Sequence, residues 1–445
     1  MSERNRSALW TTVRTAAPLV FAALAQSLNH IADRFFLARH SSEALAATLP
    51  GGMLAITFAT FVITTIGYSG TVVAQRHGGG DAAGARRAFA QGLWLTAFAL
   101  PLFVLTLPIG CRLLELGGHA DTLLAAEKSY FVWSTPSGFF GTFAAVLGGF
   151  LTGQGRTRRV GFATAIGFLA NIAFDAVLIP TFGISGAGLA LSLAAAVPVL
   201  ILIPMIRREP LFRENRREAV RFNGRELRRI LKLGLPEAVR CSSGAFFFLI
   251  FMEVAGKLGE LTLAVGNVCF AVNNVLYMVG IAVSSTVTIL TGRNTGAHDS
   301  AAERASIRSG LLIVLLTTTV FYAFVLPFSG AIMNAFYPTG ATFEAAVFRR
   351  MGIVIFCIMF FRTVLESTYQ ILSAALKGRG NTVAAMLIEI GCESLIWMPL
   401  LHIAITYHPT MSTLWLTMPG WILVAIILQF VRLRLPVRWR IGRRT

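Results

Sequence analysis

Long apolar segments alternate with short polar connections along almost the whole chain. A helix needs about 20 apolar residues to cross a bilayer, and the chain offers twelve segments of roughly that length. They lie at residues 15–37, 47–74, 89–110, 129–152, 160–180, 185–206, 233–256, 261–291, 309–331, 351–376, 382–405 and 412–431. The pattern predicts an all-α polytopic membrane protein with twelve transmembrane helices. Because the amino terminus is polar and further spans follow the first, we expect no cleavable signal peptide.

Composition agrees with a membrane protein and narrows the function. The 445 residues are 55% hydrophobic and 13% charged, whereas soluble domains carry about 25% charged residues. The five cysteines are scattered, without metal-ligand spacing or a disulfide framework. The sequence contains no His-Glu-x-x-His, Gly-x-Ser-x-Gly or phosphate-loop motif. We therefore expect a protein that is not an enzyme and that needs no cofactor.

The net charge of +18 reflects topology rather than nucleic-acid binding. Successive connections between spans lie on alternate sides of the membrane. Thirty of the 39 basic residues lie on the side of the amino terminus, and six lie on the other side. The remaining three, Arg34, Arg240 and Arg362, fall within spans. An excess of basic residues marks the cytoplasmic side. We expect a multi-pass protein of the cell (inner) membrane with both termini cytoplasmic, and no nucleic-acid partner.

The chain contains an internal repeat of half its length. The loop at 78–86 matches that at 296–304 at an offset of 218 residues, as Pro18 matches Pro236, and 151–157 matches 376–382 at an offset of 225. Each half begins on the same side, so the repeats are parallel. We predict an N-terminal six-helix lobe (1–206), a basic cytoplasmic linker (207–229) and a C-terminal six-helix lobe with a basic tail (230–445) around a central cleft. Two such lobes favour a secondary transporter that works by alternating access.

Two apolar segments carry the same polar pattern. Asn29 precedes Asp33 by four residues in the first segment, and Asn171 precedes Asp175 by four in the fifth. Residues spaced in this way share a helix face, and Gln26 lies on the first of these stripes. A charged side chain at the bilayer centre costs about 2.5–3.5 kcal/mol, so the stripes indicate an internal polar cavity. Two carboxylates there can hold and release a proton as a coupled pair, or bind sodium.

The C-terminal half contains further intramembrane acids. Glu366 follows Arg362 by four residues, a spacing that favours a structural ion pair. Glu237 and Arg240, three residues apart, are interpreted in the same way. Glu389 and Glu393 share a face and have no basic neighbour in sequence. They either line the substrate cleft or form a second proton site.

With these features, the chain resembles the multidrug and toxic compound extrusion (MATE) family over nearly its whole length. The resemblance rests on the order of several motifs: Pro18 followed by Asp33 and Leu45-Ala-Ala47, then 74–81, 153–157, 186–190, 233–236 and 376–382. It implies export of drugs or other organic compounds, often cationic, by proton or sodium antiport. The substrate would be a small organic molecule, the drive an ion gradient, and the functional unit a monomer in the bilayer.

Within the family, the chain is similar to the DNA-damage-inducible (DinF-like) branch. That resemblance assigns proton coupling to Asp33, Asp175, Asn171, Tyr130 and Asn29. It also identifies Pro18 as the residue that bends the first span and matches Ser192 to a hydroxyl in the sixth. Gln26, Ser192, Glu366, Glu389 and Glu393 are the weaker candidates for the substrate cleft. The other branch has an acid in the middle of span 7, where this chain has Gly244 and Ala245. Sodium antiport, with sodium at Asp33 and Asp175, and a flippase for lipid-linked sugars or an exporter of one metabolite remain as alternatives.

Overall fold

The computed structural model describes residues 3–40, 42–117, 119–215, 220–337 and 343–435, and this part of the chain is helical almost throughout. A π-helical turn, Glu393–Trp397, joins two of the helices. The helices are α1 (Glu3–His40), α2 (Ser42–Gly67), α3 (Ser69–Gly78), α4 (Ala82–Glu115), α5 (Asp121–Gly153), α6 (Thr157–Arg207), α7 (Pro210–Arg213), α8 (Gly224–Lys257), α9 (Glu260–Gly296), α10 (Ser300–Ala335), α11 (Ala345–Gly378), α12 (Thr382–Cys392), α13 (Met398–Tyr407) and α14 (Met411–Arg434). The predicted all-α class is confirmed.

The predicted spans correspond to these helices, with two differences in how they are divided. Within the described residues, ten helical stretches are each long and apolar enough to cross a membrane. They do not include α5, whose many hydroxyl groups and glycines dilute its apolar character, although it packs against α2, α4 and α6. One of the ten stretches is the whole of α6, which covers two predicted spans.

The helix α6 is a hairpin of two spans rather than one long rod. Its 51 residues would extend about 76 Å as a straight helix, more than twice the ~30 Å of a hydrocarbon core. Gly183 interrupts it with φ 58° and ψ −135°. A Cβ atom added to Gly186 would lie 2.1 Å from the carbonyl oxygen of Leu178, and one added to Gly167 would lie 2.7 Å from Pro198. The chain therefore turns back on itself at Gly183, and the two arms pack together.

The internal repeat is visible in the backbone. Gly80 has φ 73°, and the residue 218 positions later, His298, has φ 58°. Gly155 has φ 83°, and the residue 225 positions later, Gly380, has φ 79°. Positive φ is uncommon for a residue with a side chain, so His298 keeps the turn of the first half at a local cost. Both offsets are those of the sequence repeat.

The described chain divides into two compact units. The first unit comprises Val13–Ser242 and Gly292–Ser300, and the second unit comprises Met1–Thr12, Ser243–Thr291 and Ala301–Thr445. In the first unit, α5 packs extensively against α2, α3, α4 and α6. In the second unit, aromatic rings fill the interior, with Phe251 edge-on to Trp415 and Trp397 stacked on Trp421.

Two glycines of the first unit make a reciprocal backbone contact. A Cβ atom added to Gly78 would lie 2.0 Å from the carbonyl oxygen of Arg293, and one added to Gly296 would lie 1.9 Å from that of Gln75. Gly78 and Gln75 correspond to Gly296 and Arg293 in the repeat. The ends of α3 and α9 therefore meet in a contact with local two-fold symmetry, which we call the glycine crossing. Only glycine permits this approach.

Replacement of Gly296 tests how much stability the crossing provides. In Gly296→Ala the new methyl group must push the Gln75 carbonyl away, and such overpacking typically costs about 1–3 kcal/mol. We expect a lower midpoint of thermal unfolding in detergent. Gly256→Ala is the matched control, because a Cβ atom at Gly256 meets nothing within 4 Å. Equal midpoints for the two variants would contradict the close contact.

Candidate functional site

The helices α1 and α6 approach closely at Pro18 and Gly161, which precede the polar residues of each helix in the sequence. A Cβ atom added to Gly161 of α6 would lie 2.5 Å from the carbonyl oxygen of Pro18 of α1. Pro18 lies inside α1, where it removes one backbone donor and favours a bend. The two polar stripes lie on these two helices, and the structure brings them together.

The two asparagines link the two acids through a chain of hydrogen bonds. The Asn29 amide donates to Oδ1 of Asn171 over 3.2 Å and to Oδ2 of Asp33 over 3.4 Å. The Asn171 amide donates to Oδ2 of Asp175 over 3.0 Å. Asn29, Asn171 and Asp175 are each at most 2% exposed, and Asp33 is half-buried. Each acid therefore receives a hydrogen bond from a neutral amide one helical turn earlier.

The carboxyl groups of Asp33 and Asp175 also lie within interaction range of each other. Two ionised carboxylates at this range repel each other, so their proximity favours a proton on one of the two groups. We call Asp33, Asp175, Asn29 and Asn171 the acid–amide cluster.

Tyr130 of α5 completes one wall of this cluster. It is within electrostatic range of both Asp33 and Asp175, and it packs against the buried group formed by Leu37 and Ile179 with Ala187. A phenol hydroxyl both donates and accepts a hydrogen bond. Tyr130 is thus placed beside both carboxyl groups.

Three other candidates of the amino-terminal half have different surroundings. Ser192 is buried and donates a 2.6 Å hydrogen bond to the backbone carbonyl of Trp133, one turn beyond Tyr130. It fixes α6 against α5 and so holds Tyr130 in place. Gln26 lies half-buried on α1. The side chain of Arg34 lies outside the described part of the structure.

In the second unit, Glu366 is bonded within its own helix. Its Oε2 lies 3.6 Å from Nη2 of Arg362, and its Oε1 accepts from the Gln370 amide over 3.2 Å. The Arg362 Nε atom is 3.0 Å from the sulfur of Met418 on α14. In the first unit, Arg240 binds both oxygens of Glu237, over 2.8 and 2.9 Å. Both pairs have the geometry of structural ion pairs.

Glu389 and Glu393 lie together against a glycine of α8. Both are buried, and a Cβ atom added to Gly244 would lie 3.4 Å from Oε1 of Glu389 and 3.8 Å from Oε1 of Glu393. The hydroxyl of Tyr369 on α11 donates to Glu389. Tyr369 was not a candidate from the sequence, because a tyrosine in an apolar segment carries no signal for its partner. Gly244 stands where the other branch has an acid. In the structure, the lack of a side chain at Gly244 leaves room for Glu389 and Glu393.

A second polar group was also missed by the sequence. Asn273 accepts hydrogen bonds from the hydroxyls of Tyr322 and Thr363, each over 2.9 Å, and all three residues are buried. They lie on α9, α10 and α11, so no spacing within one segment could have linked them. Among the described residues, no three or more His, Cys, Asp and Glu side chains are grouped in a way that could hold a metal ion.

Comparisons with known proteins agree with this architecture. The family model described as MatE matches residues 18–177 and 238–407. A probable multidrug resistance protein NorM from Pseudomonas aeruginosa is 28% identical over 419 residues, which is 90% of this chain and 83% of the relative. A probable multidrug resistance protein NorM from Pseudomonas syringae pv. tomato is 26% identical over 88% of this chain and 86% of the relative.

Solved structures are similar over almost the full length. A crystal structure of MATE in complex with MaL6 superposes with a TM-score of 0.86 at 20% identity and covers 98% of each chain. An outward-facing multidrug resistance MATE family transporter of the MOP superfamily gives a TM-score of 0.87 at 20% identity and covers 96% of each chain. At this identity the likeness shows the fold, which has two lobes.

The Arg362–Glu366 pair can be tested by replacing both partners. Removal of one partner alone leaves a buried charge and typically costs about 3–5 kcal/mol, so Glu366→Gln should lower the yield of folded protein. The Arg362→Met, Glu366→Leu double variant should restore the yield, because an apolar pair can replace a buried ion pair. Yield and monodispersity after detergent extraction provide the measurement. Normal yield with abolished transport in Glu366→Gln would instead make Glu366 a coupling residue.

Proposed function

This chain belongs to the multidrug and toxic compound extrusion (MatE) family, and from that membership we propose that it exports drugs or other organic compounds, many of them cationic, in exchange for protons. The resemblance found in the sequence is thereby confirmed at the level of the family. Members of the family are transporters rather than enzymes, and they use ion gradients. The relatives named as multidrug resistance proteins support export of several compounds rather than one.

The contact between Asp33 and Asp175 is the observation that supports proton coupling. The two carboxyl groups lie within interaction range of each other, and the repulsion between two ionised carboxylates favours one bound proton. A carrier that takes up a proton from outside and releases it inside needs a group that changes between these two states. The neutral amides of Asn29 and Asn171 favour neither state strongly, because a carboxyl oxygen accepts a hydrogen bond whether or not its partner oxygen is protonated. These four residues and Tyr130 form the proposed coupling unit of a DinF-like transporter.

The orientation of the two amides favours protons over sodium. A hard cation requires several oxygen ligands. The Asn171 amide nitrogen is directed at Asp175, and the Asn29 amide nitrogen at Asp33 and Asn171. A sodium ion between the acids would therefore meet N–H groups where it needs oxygen atoms.

Alternating access of two lobes is the proposed mechanism, with residues 1–206 and 230–445 as the lobes and 207–229 as the linker. The parallel repeat supports it, because similar lobes can rock about the axis that relates them. The glycine crossing at Gly78 and Gly296 brings one repeat against the other through close backbone contacts. Such backbone contacts can separate and re-form without breaking an ion pair of their own.

Cationic substrates fit the charges of the proposed cleft better than polyanions do. The weaker cleft candidates are Gln26, Ser192, Glu366, Glu389 and Glu393. A carrier of lipid-linked sugars or another polyanion would need basic groups free to bind phosphates. Arg240 and Arg362, two of the three basic residues within the spans, are each held by a glutamate. This occupancy favours the drug exporter over the flippase.

We also propose that both termini and the 207–229 linker are cytoplasmic, in an inner membrane, and that the monomer is the functional unit. Single cysteines at positions 220 and 409 in a variant that lacks the five native cysteines test the orientation. Position 220 lies in the linker and position 409 in the connection between α13 and α14. We expect a membrane-impermeant thiol reagent to label only position 409 from outside. Labelling of both positions from the same side would contradict the orientation.

The coupling unit can be tested with Asp33→Asn, which keeps the size of the side chain and removes the titration. We expect normal folding, retained substrate binding, and loss of uphill efflux and of substrate-induced proton release in proteoliposomes. Asp175→Asn should behave in the same way, and the double variant should be little worse than either single variant, as for residues that act as one unit.

Asp121→Asn is the matched control, because Asp121 is exposed at the start of α5. The pH and sodium gradients are imposed separately in these assays. Efflux driven by sodium alone, or efflux coupled to protons in Asp33→Asn, would refute the proposed coupling unit.

A further inference from the structure

A fully buried carboxyl group lies near the start of α5, apart from the acid–amide cluster. The Glu127 side chain is 0% exposed, and its partner, His119, is 38% exposed in the connection between α4 and α5. The Nδ1 atom of His119 is 3.0 Å from Oε2 and 2.8 Å from Oε1 of Glu127. Only the contact to Oε2 has the angles of a hydrogen bond, so we take it as the bond. A half-exposed imidazole thus connects solvent with a carboxyl group that has no direct access to solvent.

One oxygen of this carboxyl group is left without a hydrogen-bond partner. Glu127 Oε1 is buried and accepts no hydrogen bond with acceptable geometry, although it lies 2.8 Å from Nδ1 of His119. Native structures rarely leave such an atom unsatisfied, and an unsatisfied group points to a functional role or to a bound water or ion. A water molecule next to Oε1 would satisfy it.

Glu127 also lies on the helix face that leads to the acid–amide cluster. Glu127 and Tyr130 are three residues apart on α5, a spacing that makes side chains neighbours. Both meet the same part of α2: a Cβ atom added to Gly51 would lie 2.7 Å from the Glu127 carbonyl oxygen, and one added to Gly52 would lie 3.2 Å from the Tyr130 ring. Tyr130 in turn is within electrostatic range of Asp33 and Asp175. A water molecule can bridge the side chains of residues with this spacing.

We propose that His119 and Glu127 form a proton relay between the outer solution and the Asp33–Asp175 pair. The inference rests on the proposed proton coupling and on the orientation that places the α4–α5 connection outside. A proton added to one ring nitrogen of His119 is balanced by release of the Nδ1 proton to Glu127. Glu127 passes a proton through water and the Tyr130 hydroxyl to the acids, and returns to its starting form.

The other charged groups near the relay are Asp121, which is exposed at the start of α5, and a group of three paired residues. Glu115 of α4 binds Lys128 of α5 and Arg112 of α4, each over 2.7 Å. The sequence of α2 from residue 48 to 67 has no titratable side chain, and the side chain of Glu43 lies outside the described part. From α1 and α6 the titratable groups facing Tyr130 are Asp33 and Asp175. His119 is thus the titratable partner that the described structure gives to Glu127.

A structural ion pair is the competing explanation, and the two make different predictions. A structural pair would change stability and leave the dependence of transport on outside pH unaltered. A relay would change the rate of proton movement and its pH dependence, while the affinity for substrate at equilibrium stays the same. The variants are Glu127→Gln, which keeps the shape of the buried side chain, and His119→Gln, which changes a half-exposed residue and is therefore expected to fold. Glu115→Gln is the matched control in the same region.

The experiment measures substrate-induced proton movement and efflux in proteoliposomes over a range of outside pH. We expect Glu127→Gln to slow proton uptake from outside by about tenfold or more, since a positioned acid–base group typically contributes 10²–10⁴-fold. His119→Gln should slow it and flatten its pH dependence, and Glu115→Gln should match the parent protein. Ethidium binding, measured by fluorescence, should be equal in all four proteins.

The outcomes separate this inference from the proposed function. If the parent protein moves no protons, the coupling itself is wrong and the relay falls with it. If the parent protein and Asp33→Asn behave as proposed above but His119→Gln keeps the parent rate at every pH, the relay alone is wrong. A folded His119→Gln with slowed, pH-independent uptake supports the relay even if Glu127→Gln does not fold.

Discussion

The need to satisfy buried polar groups in an apolar helical bundle determines the arrangement of this protein. A carboxylate removed from water is costly unless it is protonated, paired or hydrogen-bonded. The chain meets this requirement in two ways. In the acid–amide cluster, the neutral amides of Asn29 and Asn171 donate hydrogen bonds to Asp33 and Asp175. For Glu237 and Glu366, an arginine one turn away neutralises the charge. The first solution uses neutral hydrogen-bond donors, and the second uses an opposite charge.

Much of the fold and part of the site could be predicted from the sequence, because helical spacing is a local property. The pairs Asn29 and Asp33 and Asn171 and Asp175 each lie within one segment, and their common pattern suggested a common cavity. The repeat offsets predicted turns that the backbone reproduces at Gly80 and His298. Other contacts were not accessible in this way. The bond between Tyr369 and Glu389 and the contact of His119 with Glu127 each depend on how different elements pack.

A criterion based on hydropathy alone omits a helix that contributes to the site. The helix α5 carries Tyr130 and Glu127 and is the central packing partner of the first unit, yet it does not meet the apolar criterion that ten other stretches meet. Its small and hydroxyl-bearing residues let neighbouring helices approach, as at Gly188 of α6, where an added Cβ atom would lie 3.0 Å from the Tyr130 carbonyl oxygen. A helix that is surrounded by protein does not need a lipid-facing surface.

The glycine crossing has a consequence for the origin of the chain. Each glycine packs against the carbonyl three positions before its counterpart, so the contact is the isologous kind found between identical subunits. A half-length chain with one copy of this loop would already contain both sides of the contact and could pair with a second copy of itself. Gene fusion would preserve that pairing without any new surface. It would also allow the two halves to diverge, so that the amino-terminal copy could acquire the acid–amide cluster.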